Sequence, residues 1–142
     1  MVVATNAVGL CVLAVEGKVE EAFGPTISDK MKGRSSGQEE RIEFLLSSLK
    51  IPLAAAGSLR YQLLHRTVSA LITARSFHAS TAVMMVHSFG TSTDSLKDYK
   101  AFCSALNKKG DMGQVVGVGG FDQPRLYLGW CVGDTRYMNM KA

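Results

Sequence analysis

One segment, Gly9–Val19, constrains the fold more than any other part of the chain, because both of its alternating sets of side chains are apolar as far as residue 15. Successive side chains of a β-strand point to opposite faces of the sheet. The segment is therefore typical of a strand covered on both faces, as in the middle of an α/β sheet. A turn at Asn6–Gly9 predicts that it pairs with a preceding strand over Met1–Thr5.

The rest of the chain predicts three helices and further strands. The segment from Ser58 to about Phe77 carries the strongest helical pattern, with a wide apolar stripe. Ala82–Ser88 is apolar on both faces and follows a long crossover, so we expect it to run parallel to its sheet neighbour. The other predicted elements are a loop at Glu20–Gly37, a helix that follows the capping-box spacing Ser36–Glu39, a helix over about Asp94–Leu106 capped by Thr93 or Ser92, a short strand at Val115–Val118, and a terminal hairpin of Arg125–Val132 with Arg136–Met140 around Gly133-Asp134. The predicted fold class is α/β, with a central mixed sheet of about five or six strands flanked by three helices.

Length and composition predict a single domain over residues 1–142. Of these residues 46% are hydrophobic, and no Gly-, Ser- or Pro-rich run divides the chain. Cys11, Cys103 and Cys131 lie far apart in apolar segments, which predicts buried thiols in a reducing compartment. Without a signal peptide or an apolar run of about 20 residues, we expect a cytoplasmic protein with no membrane partner. The net charge of +4 is compatible with nucleic acid and excludes little.

The charged triplet that follows the apolar strand is the main functional signal. Glu16 and Lys18 lie two residues apart, so both side chains leave the same face of the strand. Burying such charges costs roughly several kcal/mol per ion unless they are paired or bound to a metal. One interpretation is an ion pair at a strand end that emerges into solvent. The other is a carboxylate that holds a hard cation, with the Lys18 amine orienting a water or stabilising a phosphate.

A family resemblance extends this second interpretation. The run Val15–Glu20, on the second strand of a hairpin and followed by helices and another strand, resembles the E-x-K half of the PD-(D/E)XK nuclease superfamily. Four longer segments together resemble a bacterial family of uncharacterised proteins in or near that superfamily: Val15–Pro25, Arg60–Thr67, Ala82–Phe89 and Leu126–Asp134. The resemblance implies a restriction-endonuclease-like arrangement of sheet and helices.

The same resemblance implies a magnesium site that hydrolyses a DNA phosphodiester. Glu16 would bind the ion, the carbonyl of Gly17 would add a ligand, and Lys18 would serve the attacking water. Many members contribute a Gln from a later helix, and Gln62 is the matching candidate. Arg66 lies one turn further along the same polar strip, where we expect it to approach a phosphate if the helix packs against the sheet. The alternative for Gln62 and Arg66 is an exposed helix face.

One expected residue of that site is missing. The superfamily's first acid, an Asp, belongs on the preceding strand, yet residues 1–15 contain no Asp or Glu. If Thr5 pairs with Leu10, the partner of Glu16 falls before Met1. Three explanations stay open: a start upstream of Met1, a degenerate copy of the site, or no nuclease site at all. Asn6 is neutral and lies at the wrong end of the hairpin to replace the acid, whereas Glu20, Glu21 and Asp29 could reach the site only through the path of the following loop.

Two functional hypotheses follow. The first is a nuclease-like domain, a hydrolase that acts on DNA with Mg²⁺ as the implied cofactor, in which Glu16 and Lys18 are central and Gln62 supports them. The second is a non-catalytic binding or oligomerisation module of the same fold, in which Glu16 and Lys18 form a structural ion pair. Open edges at the first and last hairpins also predict self-pairing into a homo-oligomer.

Overall fold

A computed structural model describes residues 1–90 and 93–137 of the chain. The strands are β1 (Val2–Asn6), β2 (Gly9–Lys18), β3 (Thr81–Ser88), β4 (Val115–Asp122) and β5 (Arg125–Val132). The helices are α1 (Ile27–Met31), α2 (Ser36–Leu49), α3 (Tyr61–Ser76) and α4 (Thr93–Ala105), with short 3-10 turns at Leu53–Ala55 and Thr135–Tyr137. This order gives the predicted α/β fold class, with one small helix more than expected.

The five strands form one mixed sheet in the order β1-β2-β3-β5-β4. Strand β3 runs parallel to both β2 and β5, as the crossover pattern predicted, while β1 and β4 pair antiparallel at the two edges. Thr5 pairs with Leu10, and Val2 pairs with Leu13. The register therefore places the position opposite Glu16 before Met1, as the sequence analysis expected.

The helices pack on one face of the sheet. Helix α3 contacts β2 and β3, and the Tyr99 ring of α4 meets the Trp130 ring of β5 edge-on at 5.2 Å between centroids. Along β2 the residues of this face are buried, whereas Val15 on the opposite face is 38% exposed. The prediction that β2 is covered on both faces is therefore wrong for the described residues. Its position is interior, as expected, although β3 is the middle strand.

Local hydrogen bonds explain where the helices before α3 begin. The N-cap of α2 is Ser35, which exchanges capping-box bonds with Gln38, so the predicted box at Ser36 is wrong by one residue. The predicted loop at Glu20–Gly37 contains α1, because Thr26 and Asp29 form a second capping box. This box has Asp where the usual pattern has Glu or Gln, and the short helix that follows has few apolar positions.

The last strands differ from their prediction. The hairpin is formed by β4 and β5 around the dipeptide Gln123-Pro124, which has a cis peptide bond. Thr135–Tyr137 is a 3-10 turn and not a strand, so the predicted hairpin around Gly133-Asp134 is wrong there. The rest of that predicted strand, Met138–Met140, and the predicted cap Ser92 lie outside the described residues.

The exposure of the cysteines differs in part from the prediction. Cys103 is buried, but Cys11 is half-buried and Cys131 is exposed, so the expectation of three buried thiols is wrong for Cys131. No described helix is both long and apolar enough to cross a membrane.

Candidate functional site

The charged end of β2 lies beneath helix α3. The side chains of Glu16 and Lys18 both point to the helix-covered face, and only 6% and 4% of their surfaces are exposed. This end of β2 is also the carboxyl end of its parallel pairing with β3, where Glu16 lies opposite Val86. Crevices at the carboxyl ends of parallel strands are frequent ligand sites in open α/β sheets.

The start of α3 is fixed next to the loop that follows β2. The backbone N–H of Tyr61 donates to the carbonyl of Pro25 at 3.1 Å. The Arg60 guanidinium donates to the carbonyl of Gly24 at 2.8 Å and pairs with Asp98 of α4 at 2.9 Å. These bonds hold the first two turns of α3 over the end of β2.

Gln62 and Arg66 lie one turn apart on α3 and both reach Glu16. The Gln62 amide donates to Glu16 Oε1, and Arg66 Nε donates to Glu16 Oε2 at 2.7 Å. Lys18 Nζ lies 3.2 Å from Glu16 Oε1 and donates to Gln62 Oε1 at 3.1 Å. Glu16, Lys18 and Gln62 therefore form a closed ring of contacts, and Arg66 joins this network through Glu16.

Lys18 is held from a second side as well. Its Nζ donates to the carbonyl of Ala22 at 3.2 Å and lies 4.9 Å from the centre of the Phe23 ring. A buried ammonium needs such partners because an unpaired buried charge is strongly unfavourable. Hydrogen bonds to Gln62 and Ala22 and the ion pair with Glu16 give the Lys18 amine three partners.

A cavity of about 600 Å³ opens beside this network, and we call it the Glu16 pocket. Its lining consists of Glu16, Lys18, Glu21, Ala22, Phe23, Gly24, Pro25, Lys30, Tyr61, Gln62, His65 and Arg66. Lys30 Nζ lies 4.7 Å from the centre of the Tyr61 ring, and the rings of Tyr61 and His65 stack at 5.8 Å with an interplanar angle of 18°. The pocket thus combines cationic and aromatic side chains.

Arg66 is only partly used by the network. It bonds Glu16 through Nε, and 45% of its side chain is exposed. Within the described residues, its two terminal nitrogens have no hydrogen-bond partner. A guanidinium has five N–H donors in a planar fork, so this residue retains most of its capacity to bind a planar or tetrahedral anion.

Glu21 is the second carboxylate of the pocket, but its hydrogen bonds are to the backbone of its own loop. Its Oε2 accepts from the backbone N–H groups of Val19 and Glu20, at 3.1 and 3.2 Å. Bonds from backbone N–H groups, chiefly those of Glu21 itself and Val19, lower the pKa of the Glu21 carboxyl, with a smaller effect from the Lys18 charge. The carboxylate therefore stays ionised and turned toward its own loop.

The donor set does not fit the magnesium ion that the resemblance implies. The two oxygens of Glu16 already accept hydrogen bonds from Gln62 and Arg66, and two cations, Arg66 and Lys18, face this one carboxylate. Among residues 1–90 and 93–137, no group of three His, Cys, Asp or Glu side chains is close enough to hold a metal ion. Mg²⁺ prefers several oxygen ligands and is repelled by a site with excess positive charge.

The structure brings four of the five predicted site residues into direct side-chain contact: Glu16, Lys18, Gln62 and Arg66. Gly17 lies between the first two with its backbone in the β2–β3 ladder opposite His87. The predicted proximity of β2 and α3 is therefore correct, while the catalytic roles stay predictions.

None of the weighed substitutes for the missing acid contacts Glu16. Asn6 accepts from Val8 and Gly9 in the hairpin turn, and Asp29 caps α1. Glu20 does not line the pocket, and Glu21 lines it while bonding its own loop.

Sequence reasoning missed three polar side chains of the pocket: Lys30, Tyr61 and His65. Tyr61 and His65 repeat the four-residue spacing of Gln62 and Arg66, so a search for i, i+4 pairs on α3 could have found them. Lys30 gave no comparable signal, because its position depends on the path of a loop and on a helix of five residues.

Comparisons with known proteins identify a family for this chain but no function. Searches of curated proteins and of solved structures found no match. One family model matches residues 1–135, and its description is a domain of unknown function, DUF6946. This description carries no link to nucleases, so the resemblance to that superfamily stays a prediction. Because the match spans most of its length, the chain belongs to the DUF6946 family.

Proposed function

We propose that this domain binds phosphate groups of nucleic acid in the Glu16 pocket, as a non-catalytic module with a nuclease-like arrangement. The observation that carries the proposal is the state of Arg66, which is fixed to Glu16 through Nε while its terminal nitrogens are free to donate. An Arg held in this way is oriented before a ligand arrives, so less side-chain entropy is lost on binding.

The charges of the pocket support an anionic ligand. Three cationic side chains, Lys18, Lys30 and Arg66, face the two carboxylates of Glu16 and Glu21. Glu16 is neutralised within the network, and Glu21 bonds backbone N–H groups. The groups with spare donors are thus Arg66 and Lys30, and both favour a phosphate oxygen.

The aromatic side chains support a nucleic acid over a free phosphate. Tyr61 and His65 stack on each other beside Arg66, and the His65 side chain is exposed. Proteins that bind single-stranded nucleic acid combine cationic grooves with aromatic platforms for bases. We therefore expect single-stranded nucleic acid to bind more tightly than a duplex.

Binding of a labelled oligonucleotide in EDTA tests the proposal. Fluorescence anisotropy is measured for a single strand and for its duplex, as a function of salt. The Arg66→Gln variant should weaken binding about tenfold, since a charge-assisted hydrogen bond contributes roughly 1.5 kcal/mol. The same variant should reduce the slope of log K against log salt by about one.

The matched control is Arg75→Gln on the same helix. Arg75 is exposed and lies nine residues further along α3, about 13 Å away along the axis. The substitution makes the same change of charge outside the Glu16 pocket, so the affinity of this variant for the oligonucleotide should stay within about twofold of that of the wild type. Equal losses in both variants would mean that binding follows net charge alone and would reject the pocket.

A second candidate function is metal-dependent cleavage of DNA. The observation that favours it is the convergence of Glu16, Lys18 and Gln62, the three residues that the nuclease resemblance assigns to catalysis. A plasmid assay with Mg²⁺ or Mn²⁺ decides it, with Glu16→Ala and Lys18→Ala as controls. Cleavage that both variants abolish would replace the non-catalytic proposal, whereas absence of cleavage alongside oligonucleotide binding would support it.

A further inference from the structure

The second face of the sheet carries no helix among the described residues. We call it the open face and define it by Val2, Leu13, Val15, Met85, Tyr127 and Val115, which together sample all five strands. Val2, Val15 and Val115 are 50%, 38% and 59% exposed. Apolar side chains of this face thus lie on all five strands, and the exposed valines lie on β1, β2 and β4.

The chemistry of the open face is that of an interior. Across the register rows from Cys11 to Gly17 of β2, the Lys, Arg, Asp or Glu side chains on this face are Arg125 and Asp122, which lie opposite each other at one end. A sheet with one solvated face normally alternates apolar and polar residues, whereas parallel strands covered on both faces are apolar throughout. Strands β2 and β3 follow the second pattern over residues 11–15 and 82–86, which favours a second layer over this part of the sheet.

We infer that this layer is a second copy of the chain, which packs its own open face against the first in a two-fold symmetric dimer. A face that lacks charge at its centre is self-complementary, because two copies bring no like charges together there despite the net charge of +4. Sheets pack face to face at about 10 Å with their strands within about 30° of each other. With the two-fold axis perpendicular to the strands, the Arg125 and Asp122 side chains of the two copies lie at opposite ends of the interface.

The size of the face agrees with a stable dimer. The strands β1, β2, β3, β4 and β5 contain 5, 10, 8, 8 and 8 residues, and each residue occupies about 4.8 Å across the sheet and about 3.3 Å along the strand. The footprint of the whole sheet face is then about 600 Å² per copy, or about 1,200 Å² for two, which reaches the lower end of the range for specific interfaces. The Glu16 pocket lies on the opposite, helix-covered face, so dimerisation leaves both pockets accessible.

Sedimentation velocity of the full chain from about 1 to about 200 µM tests the dimer. The wild type should approach twice the 15.3 kDa mass of the chain. The double variant Val15→Lys and Val115→Lys should be monomeric over this range, because it places four ammonium groups in the apolar interface. Both positions are exposed in the single chain, so the lysines can reach solvent and the variant should fold.

Ile72→Lys is the matched control. Ile72 is a β-branched residue with a similar exposure, 44%, but it lies on α3 and outside the open face. Its self-association should equal that of the wild type. A wild type that is monomeric at every concentration, or a dimer that survives the double variant but is lost in Ile72→Lys, would overturn the inference.

The reactivity of Cys131 tests for the dimer in the wild-type protein, so this test does not depend on whether a variant folds. Cys131 is exposed on the open face of the single chain, opposite His87 in the sheet register, whereas Cys103 is buried. Its rate of modification by a maleimide should fall at least fivefold as the wild type is concentrated through the monomer–dimer transition. An unchanged rate of modification would also overturn the inference. Protection of Cys131 only on addition of neutral lipid vesicles would overturn it too, by showing that the open face binds lipid.

Discussion

Replacing Glu16 by alanine should destabilise the fold by about 3 kcal/mol. The substitution leaves Lys18, only 4% exposed, with Gln62 and the Ala22 carbonyl as hydrogen-bond partners and with no carboxylate. Removing one partner of a buried ion pair costs about 3–5 kcal/mol. The lower end applies here because Arg66, the other cation, is 45% exposed and can be solvated.

Urea unfolding followed by fluorescence measures this loss. Trp130 is the single tryptophan, is buried, and donates through Nε1 to Ser88 Oγ at 2.8 Å, so it reports on the core next to the site. For a chain of this length, a loss of about 3 kcal/mol also lowers Tm by about 10 °C. Adding Lys18→Met to Glu16→Ala should restore part of the loss, because the unpaired buried ammonium is then removed.

Glu39→Ala is the control for this prediction. Glu39 pairs with Arg34 at 3.3 Å, but both side chains are about 40% exposed, so the pair should contribute less than about 1 kcal/mol. If Glu16→Ala costs no more than Glu39→Ala, the carboxylate is not the centre of a buried network and the reasoning is refuted.

Three further predictions concern metal, pH and packing. Mg²⁺ should leave the Tm of the wild type unchanged, because both oxygens of Glu16 are already occupied; a rise that Glu16→Gln abolishes would contradict this. Hydrogen bonds, chiefly from the Thr26 hydroxyl, lower the pKa of Asp29, so its contribution to stability as a cap should be complete above the ordinary pKa of 3.8 and should disappear as the pH falls through the lower pKa of the folded state. A ¹³C titration of this carboxyl measures the folded-state pKa, and a midpoint at or above 3.8 would refute the prediction. Gly110→Ala should cost about 1–3 kcal/mol by urea unfolding, since a Cβ there would lie 2.5 Å from Cys103 Sγ and 2.9 Å from the Tyr99 ring; an unchanged midpoint would show that this region can move apart.

The sequence predicted the interior of the fold better than its ends. The apolar runs in β2 and β3 and the turn between Asn6 and Gly9 determine the strands and the register of the first hairpin. Period-two patterns cannot show whether a second layer comes from the same chain, which is why β2 was expected to be covered on both faces. The last hairpin was misplaced because Gly133-Asp134 has turn chemistry, whereas the true turn at Gln123-Pro124 lacks the usual Gly or Asn.

The site was predictable where spacing alone determines geometry. Glu16 and Lys18 share a face because they are two residues apart in a strand, and Gln62 and Arg66 share one because they are four apart in a helix. Their contact also needed α3 to pack over the end of β2, which the wide apolar stripe of α3 favoured. Lys30 could not be placed, since no periodicity determines how a loop returns to a pocket.

The central claim is that Arg66 binds phosphate through the donors that Glu16 leaves free. The most direct measurement is an NMR titration of the Arg66 and Gln62 side-chain N–H signals with a short single-stranded oligonucleotide in EDTA. Saturable shifts of the Arg66 guanidinium signals, with those of Arg75 unchanged, are predicted. Shifts spread evenly over all exposed Lys and Arg residues, or none at Arg66 while the oligonucleotide binds, would contradict the claim.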